Sequence, residues 1–128
     1  MVHLVNFNKL KLISYTVIFY LHAVYLVKFK EFKDISFYLE RRPLNKTSQY
    51  SPNQIFKYER EISKLLNIKK CLISSICLFY LFKHFGIECQ LKIGINKLST
   101  FSSHSWVEAK NYSFLKDPDD SYKIIRNF

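Results

Sequence analysis

Between Cys71 and Phe85 the sequence reads CLISSICLFYLFKHF, which puts apolar side chains around nearly the whole circumference of a helix. A helix of that kind must be covered on most faces. In a chain of 128 residues there is material for one core and not for two, so every other segment has to supply that cover. Gly86 follows directly and suits a helix C-cap. The expected architecture is a single domain over residues 1–128, with 1–50 a basic helical lead-in and 51–128 the part that carries the chemistry.

The segments around this helix read as follows. Residues 8–40 have helical spacing, in two pieces, with Val17, Leu21 and Val24 near one face and then Phe29, Phe32, Ile35 and Leu39. Arg41, Arg42 and Pro43 end the run, and residues 44–50 are polar enough for a loop. Ser51-Pro52-Asn53-Gln54 is a helix start, with serine as N-cap, proline in the first turn and glutamine placed for a capping box. Ile55, Tyr58, Ile62 and Leu65 continue at helical spacing until Asn67. After the apolar helix the period changes: Ile87, Cys89, Leu91, Ile93 and Ile95 alternate with polar residues, as in a strand with one buried face. A polar connection from Asn96 leads to a second strand, with His104, Trp106 and Glu108 on one face and Ser105 and Val107 on the other. Lys110 to Tyr112 turns the chain, and Ser113 to Lys116 returns it to Asp117. Helices followed by an antiparallel sheet make an α+β fold, and the sheet must pack on the Cys71 helix to bury both apolar faces.

Composition narrows the class. Hydrophobic residues at 48% and aromatics at 17% exclude a disordered chain, and two glycines with three prolines leave little for flexible linkers. Residues 1–70 hold 13 basic and 5 acidic side chains, a balance of +8, against +2 for residues 71–128. Such a lead-in can attract an acidic peptide, an anionic bilayer or nucleic acid, or simply be a solvated basic surface; no nucleic-acid partner is expected. The apolar run from Leu12 to Val27, with lysines on both sides, is shorter than the ~20 residues a bilayer span needs and contains Ser14, Thr16 and His22. Without an A-x-A-like cleavage site it is not a signal peptide. It is expected to pack on its own domain or lie at a membrane surface. Three cysteines, at 71, 77 and 89, make neither a disulfide framework nor a C-x-x-C zinc motif. A cytoplasmic location with possible membrane association follows, with no cofactor and no metal.

Cys71, His104 and Asp117 stand in the chain order of a cysteine acyl-transfer enzyme. A thiol attacks an amide as thiolate, and a helix N-terminus beside Lys69 and Lys70 lowers its pKa. A histidine takes and returns the proton, and a carboxylate fixes its tautomer. Cys77 and Cys89, among core apolars, read as small packing residues. His3, His22 and His84 have no evident partner and read as structural or surface residues, Trp106 as packing beside the site, and Ser75 as a small side chain beneath the thiol.

The motif C-L-x-x-S at Cys71, Leu72 and Ser75, then Gly86-Ile87, L-x-I-G-I over 91–95 and H-x-W-V-E over 104–108 resemble the transglutaminase-like leader peptidases of lasso-peptide biosynthesis, the domain at the C-terminus of microcin-processing proteins. The resemblance implies a papain/transglutaminase-like fold in which Cys71 is nucleophile, His104 base and acid, and Asp117 the orienting carboxylate. It implies a precursor-peptide leader as substrate, a separate leader-recognition protein, since helices lead almost directly to Cys71, and a lasso cyclase. Ser105 and Cys77 stand where the family has alanine, and the turn after Glu108 lacks the family's glycine and is one residue longer. That longer turn leaves Asp119 and Asp120 open as alternatives to Asp117. A non-catalytic basic protein that binds a membrane or an acidic partner, and an acyltransferase that uses an amine acceptor, are the other readings.

Overall fold

The computed structural model describes residues 2–30, 35, 38–40, 50–68, 71–96, 103–109, 112–115 and 122–128. Three helices precede four strands: α1 (Val2–Phe29), α2 (Pro52–Leu66), α3 (Cys71–His84), β1 (Cys89–Asn96), β2 (Ser103–Ala109), β3 (Tyr112–Phe114) and β4 (Tyr122–Asn127). Ile35 and the residues from Tyr38 to Glu40 are also helical. The α+β arrangement expected from the change of period is what the chain adopts.

α3 is the centre. Every residue from Ile76 to Phe82 is at most 1% exposed, so two full turns are covered on all sides. The cover comes from α1 and α2 on one side and from β1 and β2 on the other. Leu12, Phe19, Tyr20, Ala23 and Leu26 of α1 enter this core, and Ile55 and Ile62 of α2 join them. α3 ends as its sequence requires: Gly86 takes φ 78°, the Ile87 amide bonds the Phe82 carbonyl at 2.8 Å, and the Gly86 amide bonds that of Lys83 at 3.3 Å. These are the two bonds of a Schellman cap.

α2 begins and ends on the residues that mark it in the sequence. Ser51 is the N-cap, its Oγ accepting from the Gln54 amide at 3.2 Å, and Pro52 opens the first turn. Asn67 closes the helix with a left-handed φ of 56°. α1 starts at Val2, earlier than the spacing from residue 8 indicated. The expected break at Arg41-Arg42-Pro43 and the loop before Tyr50 lie outside the described residues.

The sheet is antiparallel throughout, in the order β3-β2-β1-β4. In β1 and β2, Leu91 pairs with Val107, Ile93 with Ser105 and Gly94 with His104. β4 is an addition to the sequence reading: it returns to the other edge of β1, which slips register between Ile93 and Gly94 as it pairs. Adjacent Ile124 and Ile125 break the period of two that would have announced this strand.

Candidate active site

Cys71 is the first residue of α3, where its backbone amide and those of the next turn have no partner within the helix. The first turn of α3 is tied to its neighbours by two serines. The Ser105 hydroxyl of β2 donates to the Ser75 Oγ at 3.0 Å, with both side chains buried. Four residues separate Ser75 from Cys71, about one helical turn, and Ser105 is the residue next to His104. The fold thus brings the N-terminal end of α3 and the start of β2 together. It also gives a reason for serine at position 105, whose hydroxyl uses the Ser75 side chain as its partner. Asp117, Asp119, Asp120, Lys69 and Lys70 lie outside the described residues.

His104 is half-buried at the start of β2 and stacks on the buried Trp106, with ring centroids 6.2 Å apart. Its Nε2 lies 2.6 Å from the Leu115 carbonyl oxygen. A carbonyl only accepts, so Nε2 carries a proton toward it. Leu115 reaches this position with φ 68°, an uncommon conformation for a side chain of its size. Across the sheet, the residue paired with His104 is Gly94, so no side chain rises from β1 directly beside the imidazole. Trp106 is buried next to the histidine, in keeping with the packing role expected of it.

Glu108 shares the face of His104 and Trp106, two positions beyond the tryptophan. Lys92 Nζ lies 2.6 Å from its carboxylate, and Ser113 donates to it at 3.4 Å. The Lys92 hydrogen bond, more than any other contact, holds the Glu108 carboxyl below the usual range. An open cleft lined by Lys83, Glu88, Gln90, Tyr112 and Ser113 lies at the far end of α3 from Cys71. Among the described residues no three His, Cys, Asp or Glu side chains gather as a metal site would require.

Cys77 and Cys89 are buried and unoxidised. Burial pushes both thiols up, Cys77 well above its ordinary value with the charge of Glu59 adding to the effect, and Cys89 up to about 12. Neither supplies a nucleophile at neutral pH. Both stay neutral in the folded state while an unfolded thiol ionises near about 8.5, so their contribution to stability is complete below that pH and is lost as pH rises toward the folded values. Thermal melts should hold level from pH 7 to 8 and fall steadily above pH 9. The double variant Cys77→Ala/Cys89→Ala should flatten the early part of that fall; an unchanged profile would show that these thiols do not control it.

Sequence reasoning missed a buried polar cluster one turn into α3. Glu59 of α2 is fully buried and accepts from the Tyr20 hydroxyl of α1 and from Arg60 Nε and Nη2 at 2.7 and 2.8 Å. The Tyr20 oxygen also lies 3.2 Å from Ser74 Oγ, so the cluster ties α1, α2 and the first turn of α3 at one point. Burial, followed by the negative charge of Glu59, raises the Tyr20 pKa. The available signal was position: Glu59 falls four residues after Ile55 and three before Ile62, on the apolar face of α2. Glu59→Ala should cost about 3 kcal/mol, because the buried Tyr20 hydroxyl loses its carboxylate acceptor. Glu59→Gln, which keeps an acceptor and the shape, should cost less, and urea midpoints of the two variants provide the measurement. His22 and His84, without evident partners in the sequence, sit in aromatic contacts: His22 stacks on Tyr80 with centroids 5.3 Å apart, and His84 lies 4.2 Å from the Tyr15 ring.

A family model of the transglutaminase-like superfamily matches residues 18–127, all of α2, α3 and the sheet and the C-terminal part of α1. The chain belongs to the transglutaminase-like superfamily. No curated protein and no solved structure matches it. This superfamily consists in general of cysteine-dependent enzymes, peptidases and acyltransferases among them, and the observed α+β fold is consistent with membership. The match begins within α1, at residue 18.

Proposed function

We propose that this superfamily member is a cysteine peptidase that removes the leader from a ribosomally made lasso-peptide precursor, with Cys71 as nucleophile, His104 as general base and acid, and Asp117 as the orienting carboxylate. The observation that carries the reading is the junction of α3 and β2: Cys71 opens a buried helix that one turn later is bonded, through Ser75 and Ser105, to the strand that carries His104. The specific substrate rests on the resemblance of the C-L-x-x-S and H-x-W-V-E segments to lasso-peptide leader peptidases.

In this reading His104 Nδ1 takes the thiol proton while the Leu115 carbonyl holds Nε2–H. The thiolate adds to the scissile carbonyl, and the Cys71 backbone amide at the helix start is a candidate donor to the developing oxyanion. Collapse breaks the C–N bond as Nδ1–H protonates the leaving amine, leaving a thioester on Cys71. Nδ1 then takes a proton from water, the hydroxide oxygen bonds to the acyl carbon, and the thiolate departs, to be reprotonated from the imidazolium. Asp117, two residues beyond Leu115, would act as the orienting carboxylate by sharing Nε2–H with the Leu115 carbonyl and stabilising the imidazolium charge.

By the same resemblance, leader recognition falls to a separate small protein and ring closure to a cyclase. Incubating the protein and that partner with a precursor encoded beside it, and weighing the products, tests the reaction. Free leader and core, heavier together by one water, support hydrolysis; a product joined to an added amine means acyl transfer; an unchanged precursor with both partners present counts against the assignment.

A further inference from the structure

The side of α1 turned away from the core is apolar, basic and without an acid. We propose that it is a docking surface for an anionic lipid bilayer, with α1 lying in the plane of the headgroups and the domain resting above it. Leu10, Ile18, Leu21, Tyr25 and Phe29 are between 47% and 74% exposed, and at 3.6 residues per turn they fall within an arc of roughly 100°. They form one continuous stripe along the helix.

The charges suit the same surface. Lys11 and Lys28, both exposed, lie in that arc near its two ends, and the Lys30 ammonium sits 5.6 Å from the Tyr25 ring centroid. No Asp or Glu occurs anywhere in Val2–Phe29. Apolar side chains between lysines match a layer whose interior is hydrocarbon and whose surface is phosphate. Each lysine near such a surface strengthens binding by about fivefold.

By length and composition Leu10–Phe29 is also long and apolar enough to cross a membrane. Its other face decides against crossing. Leu12, Thr16, Tyr20, Ala23 and Leu26 are buried against the domain, and Tyr20 is bonded to Glu59 and Ser74. A crossing helix would have to leave that core, or carry the Glu59–Arg60 pair into hydrocarbon. A second copy of the chain fits less well than lipid, since pairing two stripes sets lysine against lysine on chains of net charge +10.

The test is co-sedimentation of the full chain with phosphatidylcholine vesicles, with and without phosphatidylglycerol. The expected result is binding to the anionic vesicles only. Ile18→Glu/Leu21→Glu should weaken it by about a hundredfold, and Lys11→Gln/Lys28→Gln by about tenfold or more. Leu65→Glu, an exposed position on α2 outside the stripe, should leave it unchanged, and circular dichroism checks that each variant is folded. Failure to bind anionic vesicles overturns the proposal, as does binding that the stripe variants do not affect. Resistance to alkaline carbonate extraction would overturn it in favour of a span. A dimer by light scattering that Ile18→Glu/Leu21→Glu converts to a monomer, without vesicle binding, would overturn it in favour of an interface between copies.

Discussion

Cys71→Ala should reduce leader cleavage by roughly ten-thousandfold, to background, with folding intact. Cys71→Ser should do the same, since a hydroxyl in place of the thiol is not ionised by a helix N-terminus at neutral pH. Cys77→Ala and Cys89→Ala should keep most of the activity, because both thiols are buried and held neutral. His104→Ala should match the loss at Cys71, and the double variant Cys71→Ala/His104→Ala should be no worse than either, as groups that act as one unit are not additive. Asp117→Asn should lower turnover without unfolding the protein. If it is silent while Asp119→Asn or Asp120→Asn is not, the longer turn after Glu108 has moved the carboxylate and the Cys-His pair stands. An active Cys71→Ala protein ends the mechanism. Mass spectrometry of the cleaved precursor reads every one of these outcomes.

What could be read from the sequence was what local chemistry dictates. The all-round apolar surface of residues 71–85 required a central helix. Ser51, Pro52 and Asn67 marked both ends of α2, and the alternation from Ile87 to Ile95 announced β1. The faces of β2 followed from the same period of two, which is why Ser105 could be set opposite to His104 before its partner was known. Long-range pairing was not legible in this way. Nothing near Glu59 in sequence announces Tyr20, 39 positions earlier, and a glutamate on an apolar helical face looks like an error in the pattern until its partners are seen. β4 was hidden by Ile124-Ile125, and the Leu115 carbonyl could not be foreseen because a backbone group held by a left-handed φ leaves no residue-type signature. At the site itself, residue types and order suggested the nucleophile and base, while the proton on His104 Nε2 came from a backbone contact alone.

Deleting residues 1–40 should yield an unfolded or insoluble protein, not a smaller working domain. The lead-in is basic and could have been an arm that recruits a membrane or a partner, in which case the remainder would stay folded. The packing decides otherwise. Leu12, Phe19, Tyr20, Ala23 and Leu26 are at most 7% exposed, and large apolar side chains contribute about 1.5 to 3 kcal/mol each when buried. Their loss alone is on the order of 8 kcal/mol, comparable with the whole stability of a domain, about 5 to 15 kcal/mol. The deletion also removes the Tyr20 hydroxyl that donates to Glu59, leaving a buried carboxylate with Arg60 as its donor, and bares the side of α3 that carries Tyr80 and Cys77. That newly exposed surface would promote aggregation. Circular dichroism and a cleavage assay on the truncated chain are the measurements. A folded, active fragment would mean that α1 is an accessory to the domain; the expected loss of both signals would mean that α1 is, by its inner face, part of the core that holds α3 in place.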